Sequence, residues 1–215
     1  MAEQRDSMPA RRGRPATIGA AAIVAAACDI ADEQGLAAVS MRAVAGRLGV
    51  AAMSLYRHIP DKEQLLAAMV EQVAGEYDLT ALTPLHWRDN LVALARQQRD
   101  IIRRHPWLPE LASRFHPLGA ATLAYVEYAL ALFHAGGVPR AAQLETVGLF
   151  NGVVTALATA SMRQPPTAPD QDLVDLLATG HYPHFAAVAG RALPEPLDLE
   201  REFGRLVARI VDGLV

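Results

Sequence analysis

The chain has 215 residues, of which 52% are hydrophobic and 20% are charged, so it can bury a sizeable core in one domain or in two modest ones. Its apolar runs are rich in alanine and are interrupted before the roughly 20 residues that a membrane span requires. No export signal is recognised at the N-terminus, and the single cysteine, Cys28, excludes an intrachain disulfide. We therefore expect a globular, cytoplasmic protein without a membrane partner.

The formal net charge of −3 is distributed unevenly along the chain. Residues 1–62 carry eight basic and six acidic side chains, whereas the remaining residues carry 12 basic and 17 acidic side chains. A slightly basic N-terminal part joined to an acidic remainder favours an anionic partner for the N-terminal part alone, although so small a difference is weak support by itself.

Apolar residues recur with helical spacing along nearly the whole chain, and no alternating strand pattern is found, so the sequence predicts an all-α fold. A first helix is predicted from Thr17, as its N-cap, to Gly35. A second is predicted from Ser40, also as N-cap, to Gly49, where glycine breaks the helix.

A short third helix is predicted over 51–58, because Pro60 disfavours helical geometry at the residue before it. Asp61 is predicted to cap a fourth helix, with Gln64 three residues further on as in a capping box. That helix is expected to run from the N-terminal part to the junction that follows Leu79.

A change of composition follows, and Thr83-Pro84 marks a predicted hinge. The segment 164–169 holds three prolines and is predicted to be a loop, and the stretch from 180 through Pro196 is also predicted to lack regular structure. Further helices are predicted at about 86–105, 107–114, 118–135, 139–162, 170–179 and 198–214.

The segment from Ser40 to Lys62 has the pattern of a helix-turn-helix, in which one short helix braces on the DNA backbone and the next enters the major groove. Val50 and Leu55 are expected to anchor the second helix inward. Small, apolar and hydroxyl side chains at its outer surface suit contact with base edges, and the basic and aromatic ones suit contact with phosphates. The residues expected to be exposed there are Ala51, Ala52, Met53, Ser54, Tyr56, Arg57 and His58.

From Thr17 to about Leu66 the sequence resembles the TetR family of bacterial repressors. The resemblance lies in Met41-Arg42, Ala45, Leu48-Gly49-Val50, Ser54-Leu55-Tyr56-Arg57-His58 and Asp61-Lys62-Glu63-Gln64-Leu65-Leu66. It implies that the residues at the DNA interface are Thr17, Met41, Arg42, Ala52, Met53, Ser54, Tyr56, His58 and Lys62, to which Arg57 is added as a predicted phosphate contact. Ala51 and Ala52 are less able to read bases than the polar residues of some relatives.

Arg11-Arg12-Gly13-Arg14-Pro15 is similar to the basic extension that many family members carry ahead of the first helix. Arg14 and its neighbours could reach the minor groove, or the segment could be a solubility tail. We divide the chain into a basic arm over 1–16, a DNA-binding domain over 17–62 with the helix-turn-helix at about 40–59, a connecting helix and hinge over 63–83, and a ligand-binding and dimerisation domain over 84–215.

The C-terminal part resembles the tetracycline-repressor-type domain of actinobacterial regulators at Trp87-Arg88, at Arg104 to Leu108, at Pro117-Leu118-Gly119 and at Leu199 to Leu214. This resemblance implies a mostly apolar cavity inside a helical bundle. It also implies a homodimer formed through the helices near 139–162 and 198–214.

The residues themselves give some support for a cavity, because bulky aromatic side chains alternate with alanine and glycine. Each aromatic side chain could equally be plain core, and each polar one could face solvent. The candidate ligand-binding residues are Trp87, Gln98, His105, Trp107, Phe115, Tyr125, Tyr128, Phe150, Asn151 and Thr155.

The sequence therefore predicts a dimeric repressor that binds a palindromic operator in double-stranded DNA and is released by a small, largely apolar effector. A regulator of the same fold that activates, or that needs no effector, is the alternative. An enzyme is not expected, because no nucleophile with a base at motif spacing, phosphate-binding loop or pair of carboxylates on one face is found. No cofactor is predicted, and no metal site either, since Pro183 disrupts the helical presentation of His181 and His184.

Overall fold

The structure, a computed structural model, describes residues 18–80, 86–115, 117–162, 171–192 and 199–214. All regular elements in these ranges are helical, as the sequence predicts. They are α1 Ala20–Gln34, α2 Met41–Leu48, α3 Ala52–Leu55, α4 Lys62–Ala74, α5 Trp87–Arg104, α6 Leu108–Arg114, α7 Ala120–Ala135, α8 Gln143–Ser161, α9 Gln171–Ala178, α10 Pro183–Ala192 and α11 Leu199–Leu214, with short 3₁₀ turns at Leu36–Ala38 and Arg140–Ala142.

We call residues 18–61, which contain α1 to α3, the head, and residues 86–214, which contain α5 to α11, the body; α4 connects them. The predicted cap of α1 is wrong. The helix begins at Ala20, and Gly19 takes the extended N-cap conformation without any side-chain hydrogen bond. Thr17 itself lies outside the described residues.

The predicted ends of α2 are confirmed. The Ser40 hydroxyl oxygen accepts a hydrogen bond from the Ala43 N–H at 3.1 Å, which satisfies one of the unpaired N–H groups at the helix start. At the other end Gly49 has φ of 68°, and the N–H groups of Gly49 and Val50 bond back to Gly46 and Ala45 at 3.2 and 3.0 Å. This is a Schellman motif, and only glycine enters its left-handed turn without strain.

The third predicted helix is in the right place, but its α-helical part is shorter than predicted. It covers only Ala52–Leu55, and a tighter turn completes it, in which the N–H groups of His58 and Ile59 both donate to the Leu55 carbonyl at 2.9 Å. Leu55 is fully buried and Ile59 is 5% exposed, so these two side chains fix the element to the head. The cap of α4 is as predicted, because Asp61 Oδ1 accepts from the Gln64 N–H at 2.7 Å.

The apolar core of the head continues into the body without a break. Ile101 at the end of α5, Trp107, and Leu111 of α6 are buried in the same cluster as the head residues. α4 packs against α1 on one side and against α6 and α7 on the other. Movement in the body can therefore reach the head through both α4 and α6.

A second core lies between α5, α7, α8 and α11. Phe133 and Phe150 meet there edge to face, with ring centroids 5.7 Å apart, and Phe203 of α11 is 1% exposed. This arrangement surrounds α5, the central helix of the body, with three long helices.

Two helices, α4 and α10, differ clearly from prediction. α4 ends at Ala74, several residues before Leu79, and α10 forms over Pro183–Ala192 where no helix was expected. A proline in the first helical turn is tolerated because its missing N–H has no partner in the helix anyway, so Pro183 begins α10 instead of interrupting it. The predicted hinge at Thr83-Pro84 and the predicted loop 164–169 lie outside the described residues. Among the helices that are described, none is long and apolar enough to cross a membrane.

Cys28 lies on α1 and is 4% exposed. Burial, followed by the nearby carboxylates of Asp32 and Asp29, raises the pKa of its thiol to about 12. Because the thiolate is the reactive form, we expect the folded protein to react very slowly with an aromatic disulfide reagent at mildly alkaline pH. Absorbance of the released thiol should reach one equivalent only in guanidinium. Rapid stoichiometric labelling of the native protein would contradict this assignment.

Candidate DNA interface and ligand cavity

The outer face of α3 and the turn after it present the side chains that the sequence assigns to DNA. Met53 is 75% exposed and Tyr56 is 43% exposed, while Arg57 and His58 are exposed and Ala52 is half-buried. The apolar Met53 side chain, which suits contact with base edges, therefore lies beside the polar groups of Tyr56, His58 and Arg57, which can bind phosphates.

Two further cations flank this face. Arg42 is exposed at the second residue of α2, and Lys62 is exposed at the first residue of α4. The N-terminal end of α4 carries the positive partial charge of the helix dipole, which attracts anions. The Lys62 ammonium adds a full positive charge at the same end. We call Arg42, Tyr56, Arg57, His58 and Lys62 the phosphate set.

Not every predicted DNA contact is on this surface. The Met41 side chain is 7% exposed and packs in the core of the head, so it is withdrawn from the predicted interface. Ser54 is half-buried, and its hydroxyl donates to the Ala51 carbonyl at 2.6 Å, so the hydroxyl must rotate before it can donate to a phosphate. Arg14 and Thr17 lie outside the described residues.

Arg47 is also a cation of the head, but it serves the packing of α1 on α2. Its guanidinium bonds to both carboxylate oxygens of Glu33 and approaches Asp29 at 3.8 Å. The hydrogen bond from Arg47 lowers the pKa of Glu33. The charge of Arg47 is thus balanced by carboxylates of the head. We therefore leave Arg47 out of the phosphate set.

A cavity of about 550 Å³ lies between α4, α5, α6, α7 and α8. Five of the candidate ligand-binding residues line it: Gln98, Phe115, Tyr125, Asn151 and Thr155. The rest of its wall is mostly aliphatic, from Val70, Val73, Ala74, Tyr77, Ile102, Leu108, Pro109, Ala112, Ser113, Pro117, Leu118, Thr122, Val126, Gly148 and Gly152. The size suits a small organic molecule, since such pockets usually hold about 300–1,000 Å³.

The other five candidates lie away from the cavity wall. Trp87 packs against the backbone of Gly136 and carries the Arg88 guanidinium 4.3 Å from its ring centroid. Phe150 and Tyr128 are buried in the second core. For these three residues the plain-core alternative fits the structure, because Phe150 and Tyr128 are buried in the second core and Trp87 packs against its edge.

His105 and Trp107 lie at the contact between the body and the head. The Trp107 Nε1–H donates to Asp32 Oδ1 of α1 at 2.6 Å, and His105 places Nδ1 2.8 Å from the same oxygen. His105 Nε2 lies 3.0 Å from Glu76 Oε1, and Glu76 also pairs with Arg104. We call these five residues the junction cluster; it joins the start of α6, whose next turns line the cavity, to α1 of the head.

A chain of hydrogen bonds crosses the cavity wall. Gln98 Nε2 donates to Thr155 Oγ1 at 2.8 Å and to the Asn151 carbonyl at 3.2 Å, and the Tyr125 hydroxyl donates to Asn151 Oδ1. Burial raises the pKa of Tyr125, so its phenol remains protonated and can act as a donor. These bonds hold four polar side chains of the wall in place before any ligand arrives.

Glu71 of α4 binds the first turn of α7. Its carboxylate accepts from the Ala121 N–H at 2.6 Å, the Thr122 N–H at 3.2 Å and the Thr122 hydroxyl at 2.6 Å. The carboxylate approaches so closely that a Cβ added at Gly119 would lie 2.2 Å from Glu71 Cδ. Since Thr122 lines the cavity, this clasp couples the cavity wall to the helix that begins at Lys62.

The Glu71 clasp predicts an acid-dependent loss of stability. Burial raises the pKa of Glu71, but the hydrogen bonds from Thr122 and Ala121 outweigh burial and the net pKa is lowered. A carboxyl whose folded pKa is depressed stabilises the protein above its unfolded value, near 4.3, and that stability is lost as the pH falls through the folded pKa. We expect Glu71→Gln to lower the melting temperature at neutral pH and to reduce the further loss below about pH 4. Thermal melts across that window test this, with Glu145→Gln, an exposed carboxyl on α8, as control; parallel curves for Glu71→Gln and wild type would refute it.

Several residues of the site escaped sequence analysis. Val70, Val73 and Ala74 of α4 line the cavity, whereas the apolar pattern of this helix in the sequence predicts only a face packed in the core. Tyr77 follows α4 and is partly buried against Tyr125, with ring centroids 4.6 Å apart. No local pattern marks such residues, because the second surface that they meet belongs to helices far along the chain.

Comparison with known proteins agrees with this architecture. Residues 23–69 match the family model for bacterial regulatory proteins of the tetR family, and residues 82–215 match the tetracyclin repressor-like C-terminal domain. HTH-type transcriptional repressor DrrR1 of Streptomyces coeruleorubidus is 32% identical, over 94% of this chain and 79% of that protein. An HTH-type transcriptional regulator of Saccharopolyspora erythraea is 29% identical, over 89% of this chain and 82% of that protein.

Solved structures give the same result. Apo ActR from Streptomyces coelicolor superposes with a TM-score of 0.79 at 27% identity, covering 93% of this chain and 97% of that chain. ActR in complex with actinorhodin gives 0.75 at 26% identity, covering 93% and 96%. A helix-turn-helix head on an all-helical body is the architecture of a DNA-binding transcriptional regulator. The chain belongs to the TetR family of these regulators.

Proposed function

We propose that the protein is a dimeric repressor that binds a palindromic operator and is released when a small, largely apolar effector fills its cavity. One observation carries the proposal: a single helix, α4, begins with Lys62 on the DNA-facing side of the head and lines the cavity with Val70, Val73 and Ala74. A molecule in the cavity touches the helix that positions the head.

The relatives support the effector part of the proposal. One carries the name of a transcriptional repressor, and ActR has been solved with (S)-DNPA and with actinorhodin bound. The present cavity is large enough for a molecule of several rings, and its wall is mostly apolar. Gln98, Phe115, Tyr125, Asn151 and Thr155 are the side chains that we propose contact the effector.

The outer faces of α8 and α11 support a homodimer. Leu149 of α8 is 52% exposed, and Val153, Leu206 and Ile210 are each only partly buried. Partly exposed apolar side chains along two neighbouring helices suit pairing with the same surface of a second copy of the chain. A two-fold dimer would set its recognition helices about 34 Å apart, which matches successive major grooves and hence a palindromic operator.

The mechanism that we propose is a shift between two populations of the dimer. An effector that fits the cavity better in the non-binding form would move α4 through its apolar contacts and the Glu71 clasp, and α6 through the junction cluster. A differential affinity equivalent to about 1–3 kcal/mol would release the operator 5- to 150-fold. An effector with equal affinity for the free and DNA-bound forms would release nothing.

The cavity also bears on the alternatives. A regulator that needs no effector would be expected to have a solidly packed body, which the open space beside α4 disfavours. An enzyme would need acid–base groups in its pocket, and the described part of this wall holds no charged side chain. Activation instead of repression is left to experiment.

Fluorescence anisotropy of labelled DNA from immediately upstream of the gene, compared with a scrambled duplex at two salt concentrations, tests the proposal. We expect tight, salt-sensitive binding to one sequence, a stoichiometry of two chains per site, and release on addition of effector. Light scattering of the protein should give the mass of a dimer. If a selection from random DNA also yields no preferred sequence, the proposed function is wrong.

A further inference from the structure

The wall of the cavity sets the charge of its occupant. Among the described residues that line it, all are aliphatic, aromatic, hydroxyl or amide side chains, or glycine, and none is ionised. Placing an ion in such a space without a partner of opposite charge carries a large desolvation cost. The cavity therefore fits a neutral molecule.

One atom of the wall is left without a partner. Gln98, on the central helix α5, is 6% exposed. Its Nε2 group uses both hydrogens, toward Thr155 Oγ1 at 2.8 Å and the Asn151 carbonyl at 3.2 Å, whereas its Oε1 is buried and accepts no hydrogen bond. Oε1 is closed off from the open space of the cavity, so an occupant reaches it only after a shift of the Gln98 amide. Nearly all buried side-chain oxygens have a donor, so an unpaired acceptor on a side chain that lines a cavity marks a place where a donor belongs.

The neighbours of this amide settle which of its two terminal atoms is the nitrogen and which is the oxygen. A backbone carbonyl can only accept, so the atom facing Asn151 O must be the nitrogen. If the amide were reversed, Oε1 would face the carbonyl oxygen at 3.2 Å, with no hydrogen between the two acceptors, and the Nε2 hydrogens would lose both partners. The free group of Gln98 is therefore an acceptor, and it selects for a donor on the occupant.

Building on the proposed function, we infer that the effector is a neutral, largely aromatic or aliphatic molecule that bears a hydroxyl or N–H group and donates it to Gln98 Oε1. The aromatic walls formed by Phe115 and by the Tyr77–Tyr125 pair suit a ring system. Specificity follows from the same contact, because a molecule without the donor leaves a buried oxygen unpaired when it fills the space.

Pyrene derivatives provide a matched set of probes, and their fluorescence reports binding to the full chain without DNA. We expect 1-hydroxypyrene to bind about tenfold more tightly than 1-methoxypyrene, the difference that one hydrogen bond of ordinary strength makes. Gln98→Met, which keeps the length of the side chain and removes the acceptor, should bring the two dissociation constants together. 1-Pyrenecarboxylate should bind more weakly than either.

Gln143→Met serves as the control variant, because it removes a similarly buried glutamine amide that lies outside the cavity wall and donates to the Val138 carbonyl; we expect the preference for the hydroxyl to remain. Thermal melts check that each variant is folded, and Gln98→Leu replaces Gln98→Met if that variant melts early. Equal binding of hydroxyl and methoxy probes to the wild type, or a preference that survives in Gln98→Met, would overturn the inference. So would tighter binding of the carboxylate, or no binding of any pyrene. None of these outcomes touches operator binding, which is measured separately, so failure of the donor contact is distinguishable from failure of the proposed repressor function.

Discussion

Alanine at both Arg57 and Lys62 is expected to weaken operator binding by about 100- to 1,000-fold. In a dimer the double variant loses four phosphate contacts, and an average loss of about 1 kcal/mol at each gives a factor of that size. Both side chains are exposed and hold no part of the core, so the melting temperature should stay near that of the wild type.

The salt dependence distinguishes this explanation from a general loss of structure. Each phosphate contact contributes about 0.9 to the slope of log affinity against log salt, so four lost contacts should flatten the slope by roughly 3 to 4. Arg140→Ala removes an exposed guanidinium of the body, from the 3₁₀ turn before α8, and serves as the matched control. An unchanged slope in the double variant would show that Arg57 and Lys62 do not face phosphates.

Asp32→Ala is expected to lower the free energy of unfolding by about 2–4 kcal/mol, because it leaves the Trp107 N–H and one nitrogen of His105 without their acceptor. For a chain of this size the corresponding fall in melting temperature is roughly 4–16 °C. The Asp32 side chain is 28% exposed, so water can replace part of the lost bonding and the lower half of the range is favoured.

Two other variants make the Asp32 prediction specific. Asp29→Ala removes an exposed carboxylate from the same helix, one that approaches the Arg47 guanidinium no closer than 3.8 Å, and it should cost less than about 0.5 kcal/mol. Asp32→Asn retains an oxygen at the accepting position and should recover part of the stability. If Asp32→Ala melts together with Asp29→Ala in differential scanning calorimetry, the junction cluster does not stabilise the contact between body and head.

Local signals in the sequence were sufficient for most of the head. Ser40, Gly49 and Asp61 act on backbone groups within three or four residues of themselves, so their roles follow from the residue type and its position. The error at Thr17 has the same origin, since Gly19 is also an acceptable N-cap and no neighbouring residue distinguishes the two.

The body was harder to predict, because its contacts join distant segments. Polar residues on apolar helices gave Gln98, Asn151 and Thr155 correctly as part of the cavity wall. For the aromatic residues the sequence did not distinguish core from cavity wall. Phe150 and Tyr125 have the same inward spacing, yet of these two only Tyr125 reaches the cavity. Helical spacing shows that a side chain points inward and not whether another side chain or a space lies opposite.

The contact between Asp32 and His105 gives the clearest limit. It joins residues 73 apart, and neither residue lies in a pattern that marks a partner. Asp32 looks like an exposed acid at the end of α1, and His105 looks like one of several histidines beside a proline. Only the packing of the segment between α5 and α6 against α1 brings them together.

Lys62 is the only lysine in the chain, and its amino group is exposed at the start of α4. An amine-reactive dye would therefore mark a single side chain, at the edge of the proposed DNA-binding face. The N-terminal amine is the other reactive group, and it is blocked beforehand or distinguished by mass spectrometry. Labelling of one residue in each subunit would give the proposed dimer two fixed reporters, and energy transfer between them would follow the separation of the two heads in solution. The arginine-rich composition of the chain thus makes the distance on which the proposed operator binding depends directly measurable without adding a cysteine or removing Cys28.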